Sequence, residues 1–223
     1  MFNRSVSFSP TILYISPHAL NQHTLEPNLR MVVWSAINLP DYINQKLVLR
    51  LKYLLGRKGV FGGSWDIKSQ PFSKREEFQL IDDLNRNLSN FKQSTWYGRG
   101  QQIIEQGGVF SHKDQVAHNM QQLDEVFEGY LIELLTSMKR EGYRHRDGAD
   151  YPEAMIGRDG TLIKTAHGTH RLAAAVVTGA KGLFPVKVIG VHRLWLSALP
   201  EQPGGVRSDE IAHSLKMIEQ KYR

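Results

Sequence analysis

The chain has 223 residues, of which 41% are hydrophobic and 22% charged, and a formal net charge of +6. That balance suits an ordered globular chain with one good-sized core, or a core plus a subdomain, and excludes a disordered one; no stretch approaches the ~18 continuous apolar residues of a membrane span. Cysteine is absent, which removes disulfides, a thiolate nucleophile and thiolate metal ligands and fits a reducing, cytoplasmic setting.

The opening residues 1–10 lack a sustained apolar run and a small-residue cleavage pattern, so no signal peptide is expected. Residues 1–110 are irregular in texture, rich in Asn, Gln, Ser and aromatics, and read as a mainly helical N-terminal elaboration. Within it, Ile43, Leu47, Leu49, Leu51 and Leu54 predict a helix over 42–55, ended by Gly56. Basic residues gather at 46–58 and again at 139–146. Such clusters attract nucleic acid or phosphorylated small molecules, although solvated helix faces are the plainer reading. Residues 59–66 are glycine-rich without a dinucleotide or phosphate-loop spacing, and read as a loop anchored by Trp65. A helix follows over 76–88. Trp96-Tyr97-Gly98-Arg99-Gly100-Gln101 reads either as a substrate-facing loop, with aromatics to stack on a base or sugar, or as aromatic packing beside a tight turn.

From 111 to 195 the pattern is regular. Val116, Met120, Leu123, Phe127, Tyr130, Leu134 and Met138 recur at intervals of three or four, which predicts a helix over 112–139 capped by Ser111, with Gly129 as a point of bending. Gly142 ends it. Residues 153–157 and 161–164 predict two strands joined by a tight turn at Arg158-Asp159-Gly160. A helix over 170–178 with three consecutive alanines suits close packing on a sheet, and a strand over 184–189 follows. Residues 196–223 form a loop and a closing helix from 209 to 221. The expected fold class is α/β (α+β), a small mixed sheet with helices.

The chemistry concentrates at Gly168-Thr169-His170-Arg171, between a strand and the Ala-rich helix. Gly168 permits a sharp turn and close approach to a ligand. Thr169 offers a cap or a hydroxyl. His170 and Arg171 stand where free backbone donors and the positive helix end already favour an anion. Arg171 offers a fork of donors for phosphate, and His170 a donor or a proton shuttle near neutral pH. A structural turn carrying a solvated His-Arg pair is the alternative.

These residues, with Gly160-Thr161-Leu162-Ile163 before them and Pro185-Val186-Lys187-Val188 after, resemble the ParB/sulfiredoxin-like superfamily over residues 120–195. The resemblance implies a nucleotide-binding core at 111–195, with Gly168, Thr169, His170 and Arg171 lining a phosphate pocket and His192 reaching it from the last strand. Thr169 stands where sulfiredoxins carry their reactive cysteine, so sulfinic-acid reduction is not expected. His167 stands where many relatives have an acidic residue. Partition-type relatives continue into DNA-reading and dimerisation segments for which the residues after Trp195 are too few. The expected activity is therefore phosphoryl transfer from ATP or another nucleoside triphosphate, with magnesium, to a small hydroxyl-bearing metabolite or sugar. Nucleotide-responsive nucleic-acid binding or nuclease action is the alternative. His170, Arg171, Glu128 and Glu141 are the expected catalytic groups, and Asp159 and Glu125 the expected metal ligands. Asp124 and Glu153 are further acidic candidates. Residues 1–110 would supply the acceptor pocket.

Overall fold

A computed structural model describes residues 8–24, 59–145, 150–165, 167–200 and 208–223. The helix expected over 42–55, with its basic cluster, lies outside them. The chain forms a mixed α+β structure of two compact units that interleave along the sequence. Residues 1–72, 148–168 and 183–223 belong to the first, and residues 73–147 and 169–182 to the second.

The first unit is a seven-stranded mixed sheet. Its strands are β1 (Thr11–Ile15), β2 (Gln22–His23), β3 (Val60–Phe61) and β4 (Gln70–Pro71), then β7 (Glu153–Ile156), β8 (Leu162–Lys164) and β9 (Phe184–His192). They run in the order β1-β9-β7-β8-β2-β4, with β3 beside β9. Sequence punctuation explains the centre. Asp159 Oδ1 accepts the Thr161 N–H at 3.0 Å and Gly160 takes φ +83°, which closes the β7–β8 hairpin as expected. Parallel pairing joins β7 to β9 and β8 to β2, while β1 adds antiparallel to β9 with Thr11 opposite Val188.

The strand β9 extends three residues beyond the expected 184–189. It is central and nearly continuously buried, as an apolar run with partners on both edges should be. One core cluster holds Trp65, Met155 and Ile163, with Phe61 and Ile189 against it, so Trp65 is the expected anchor. Helix α6 (Arg193–Ser197) follows β9 directly, and α7 (Ser208–Lys221) packs on β1.

The second unit is mostly helical. Helix α1 (Glu76–Arg86) matches the expected one. Trp96 to Gln101 are not a loop. They lie in α2 (Thr95–Glu105), whose N-terminus is capped by Ser94 accepting from the Tyr97 N–H at 3.3 Å. Trp96 and Tyr97 are buried there, and Arg99 pairs with Glu76. The long helix expected from 112 begins later than its periodicity implied. Residues before it form a hairpin of β5 (Phe110–His112) and β6 (Gln115–Ala117) with Lys113 at φ +54°, and Val116 is exposed.

Asn119, rather than Ser111, caps α3 (Met120–Val126) through the Gln122 N–H at 2.9 Å. A π-turn, Phe127–Ile132, then interrupts the helix around Gly129 before α4 (Glu133–Glu141). Gly142 ends it at φ +73°, where a Cβ would stand 2.5 Å from the Lys181 carbonyl. Helix α5 (Thr169–Val177) buries Leu172, Ala173, Ala174 and Ala175. Within its unit α5 packs against α1 and α4, and small residues let helices approach closely.

Candidate functional site

Gly168 has φ +77°, and a Cβ there would lie 2.5 Å from Pro152 Cα. The glycine is required by approach to protein backbone, whatever ligand the turn takes. Helix α5 begins at Thr169, so that residue stands inside the first turn rather than at the cap, and it is buried.

His170 sits in an aromatic cluster built by three elements of the second unit. Its ring stacks on Trp96 of α2 with centroids 5.6 Å apart and planes at 18°, and meets His112 of β5 edge-on at 4.8 Å. His112 also stands edge-on to Trp96 at 5.0 Å and lies 5.6 Å from Tyr130 of the π-turn. The Lys113 ammonium lies 4.6 Å from the Tyr130 ring centre. The His112 Nε2 is buried and has no hydrogen-bond partner among the described residues.

Burial, reinforced by His112 and Lys113, pushes His170 down to about 4. His112 is lowered as well, by burial and then by Lys113. Both rings are therefore neutral at pH 7. A group that titrates near 4 is poorly matched to shuttling protons near neutral pH. A neutral His170 still offers one N–H and a flat face.

Arg171, the third residue of α5, is half-buried. Its guanidinium donates to the Tyr143 hydroxyl at 3.3 Å, and among the described residues it forms no ion pair with a carboxylate. In the same unit, the Arg75–Glu77 ion pair at 2.9 Å is closed on itself. Burial raises the Glu77 carboxyl, yet the Arg75 hydrogen bond and neighbouring charges outweigh it and hold Glu77 below its ordinary value. Among the described residues, Arg171 thus keeps a cation at a helix N-terminus with the Tyr143 hydroxyl beside it.

The other expected residues have local roles. His192 is buried in the first unit, not exposed at a pocket. Its Nδ1 accepts the Leu194 N–H at 3.0 Å and caps α6, and Nε2 lies 3.1 Å from the Gly63 carbonyl. Since Nδ1 accepts, Nε2 carries the proton and donates, and both ring nitrogens are engaged. Beside it, the Arg158 guanidinium grips Asp66 with two bonds of 2.8 Å and donates to the Gly63 carbonyl at 2.8 Å. Burial raises Asp66, but the side-chain and backbone bonds from Arg158 win and hold it low.

Asp159 serves its turn. Glu125, exposed, accepts from Gln121 at 3.1 Å. Asp159 and Glu125 fall in different units, and among the described residues no three His, Asp or Glu side chains converge as a metal site. Glu128 lies exposed on the π-turn, and Glu141 is held by Arg140 at 2.7 Å and Arg144 at 3.1 Å. Asp124 accepts from Tyr97 at 2.6 Å and pairs with Lys92. Glu153 opens β7, and His167 is exposed.

His112 and Tyr130 were not among the expected site residues, and Trp96 was one only under the substrate-facing reading of residues 96–101. No spacing joins them to His170, and only the tertiary fold brings their rings together. No family model, curated protein or solved structure matches the chain.

Proposed function

We propose that the chain binds a phosphorylated ligand, a nucleotide by preference, at the opening turn of α5, and acts as a nucleotide-dependent phosphotransferase on a small hydroxyl-bearing metabolite or sugar. One observation carries the binding step. Arg171 is half-buried at the N-terminus of a nine-residue helix with no carboxylate paired to it among the described residues. A half-buried cation at the opening turn of a helix calls for an anion, and a phosphate oxygen suits both the guanidinium and the positive helix end.

The backbone amides of the first turn and the Arg171 guanidinium would hold the phosphate, with the Tyr143 hydroxyl fixing the guanidinium plane. His170, neutral and stacked, would offer an N–H without adding charge. The transferring phosphoryl group comes with the nucleotide. The ParB/sulfiredoxin-like resemblance of 120–195 supports the choice of a nucleotide over a simpler anion. The described residues offer no ready carboxylate cage for magnesium, so no step is assigned to the protein through that metal.

Isothermal titration of the full chain with ATP, ADP, CTP and GTP tests the reading. Binding by the native chain, weakened about tenfold or more in Arg171→Ala with the circular dichroism spectrum unchanged, is the expected result, since a hydrogen bond to a charged group contributes about 1.5–3 kcal/mol. Equal affinity in the two proteins would sink the assignment. Transfer itself is read by loss of ATP in the presence of pooled sugars and amino alcohols.

A further inference from the structure

The β7–β8 ladder contains a break that a buried lysine completes. The two strands are in regular antiparallel register, with Met155 opposite Ile163 and the Gly157 N–H donating to the Thr161 carbonyl. In such a ladder hydrogen-bonded pairs recur every second residue, so Glu153 and Thr165 should exchange two bonds. Only one forms. The Thr165 N–H donates to the Glu153 carbonyl at 3.0 Å, whereas the Glu153 N–H passes over Thr165 and donates to the His167 carbonyl at 3.2 Å. The regular exchange of bonds ends at this pair, and among the described residues no backbone amide donates to the Thr165 carbonyl, although Thr165 is 1% exposed.

Lys164 supplies the missing donor. Its side chain is fully buried, and its ammonium donates to the carbonyls of both Thr165 and His167. Burial of an ammonium is tolerated only when it is well bonded, and two carbonyl acceptors meet that need. A consequence follows for the next peptide. All described peptide bonds are trans, and in a trans peptide the C=O and N–H point in opposite directions. With the His167 carbonyl drawn toward Lys164 and Glu153, the Gly168 N–H is turned to the opposite side. Gly168 immediately precedes α5 in the chain.

We propose that Lys164 is a positioning residue for the phosphate-binding turn: its buried ammonium gathers the Thr165 and His167 carbonyls and thereby presents the Gly168 amide as an outward donor to a phosphate oxygen. The proposal rests on the phosphate reading above, and names a residue that acts through the backbone without touching the ligand. The absence of cysteine makes the ammonium testable by itself. Lys164→Cys removes it, and alkylation with 2-bromoethylamine in denaturant, followed by refolding, rebuilds a lysine isostere at that position alone.

Amide exchange and chemical shifts are followed in the 15N-labelled full chain, first free and then with inorganic phosphate and with ATP. In the native chain the Gly168 amide should exchange freely without ligand, and should shift and become protected with ATP. In Lys164→Cys the Glu153 amide should lose protection and ATP should bind about tenfold more weakly, the scale of one charge-assisted hydrogen bond. Aminoethylation should restore both.

A Gly168 amide already protected in the free native chain overturns the proposal, and that measurement stands even where the variant does not fold. Native affinity in Lys164→Cys, or a folded variant whose weak binding aminoethylation leaves unrepaired, overturns it too. If ATP moves the amides of His170 and Arg171 but not Gly168, the positioning role falls while the phosphate reading stands. If nothing responds to ATP or phosphate, the phosphate reading falls and takes the ligand role of Lys164 with it, whatever the Glu153 exchange shows of the turn.

Discussion

At the scale of single residues, burial decides which charges this protein can use. His170 titrates near 4 instead of its ordinary 6.5 because burial, then His112 and Lys113, disfavour the imidazolium, against a weaker opposing pull from Glu77. The unfolded chain therefore takes up this proton first as pH falls. The resulting stability is fully present above about pH 6.5, declines down to about pH 4, and is flat below, amounting to about 3 kcal/mol at most. Urea denaturation at pH 7 and pH 4.5 should show the decline, and His170→Phe, which keeps a ring against Trp96, should reduce it. An unchanged pH dependence in that variant would mean that His112 or another group carries it. Asp66 acts in the same direction, since its depressed carboxyl contributes stability that is lost as pH falls through the acid range. Arg158→Ala would leave that carboxylate buried without its partner. We expect a loss of about 3 kcal/mol at pH 7, read by chemical denaturation and smaller at pH 4, where Asp66 can protonate.

At the scale of elements, the legible parts were those where a residue type dictates a backbone state. Asp159-Gly160 announced the β7–β8 hairpin, Gly142 and the alanine run announced where α4 stops and how closely α5 packs. The β5–β6 hairpin was not legible, because its turn places Lys113, and not a glycine or asparagine, at positive φ. Val116 and Met120 also happen to continue the spacing of the helix that follows. Trp96 and Tyr97 read equally as ligand-stacking groups or as aromatic packing, and both serve the packing around Phe127, whose ring meets Trp96 at 6.0 Å and Tyr97 at 5.2 Å. Composition does not distinguish an aromatic that faces a substrate from one that faces a core. Of the candidate site, the motif at the start of α5 was legible; its aromatic floor and the buried Lys164 were not, since a lysine ending a short strand reads as a solvent-facing residue. The turn at Gly168 yields its own prediction. Gly168→Ala combines positive φ with a clash against Pro152 that no rotamer relieves, so the melting midpoint should fall by an amount equivalent to about 2 kcal/mol or more. A midpoint within error of the native one would show that the turn yields freely.

At the scale of the whole molecule, the central strand arrives late. The strand β9 pairs with β1, β3 and β7, so the first unit joins segments separated by most of the sequence. A chain stopped after residue 182 lacks β9, α6 and α7 and leaves β1, β3 and β7 without their shared partner. Such a fragment should be cut rapidly by protease around Trp65, where the full chain resists; resistance in the fragment would show that the sheet assembles without its central strand.

The interleaving also bears on inheritance. Because each unit is written in the gene as separated stretches, with residues 148–168 of one lying between the two stretches of the other, a single crossover cannot exchange either unit intact. A recombination event that moved Arg171 and its helix to another protein would leave behind α1 and the hairpin that holds His112. Substitution in place keeps both units intact where a single crossover would not.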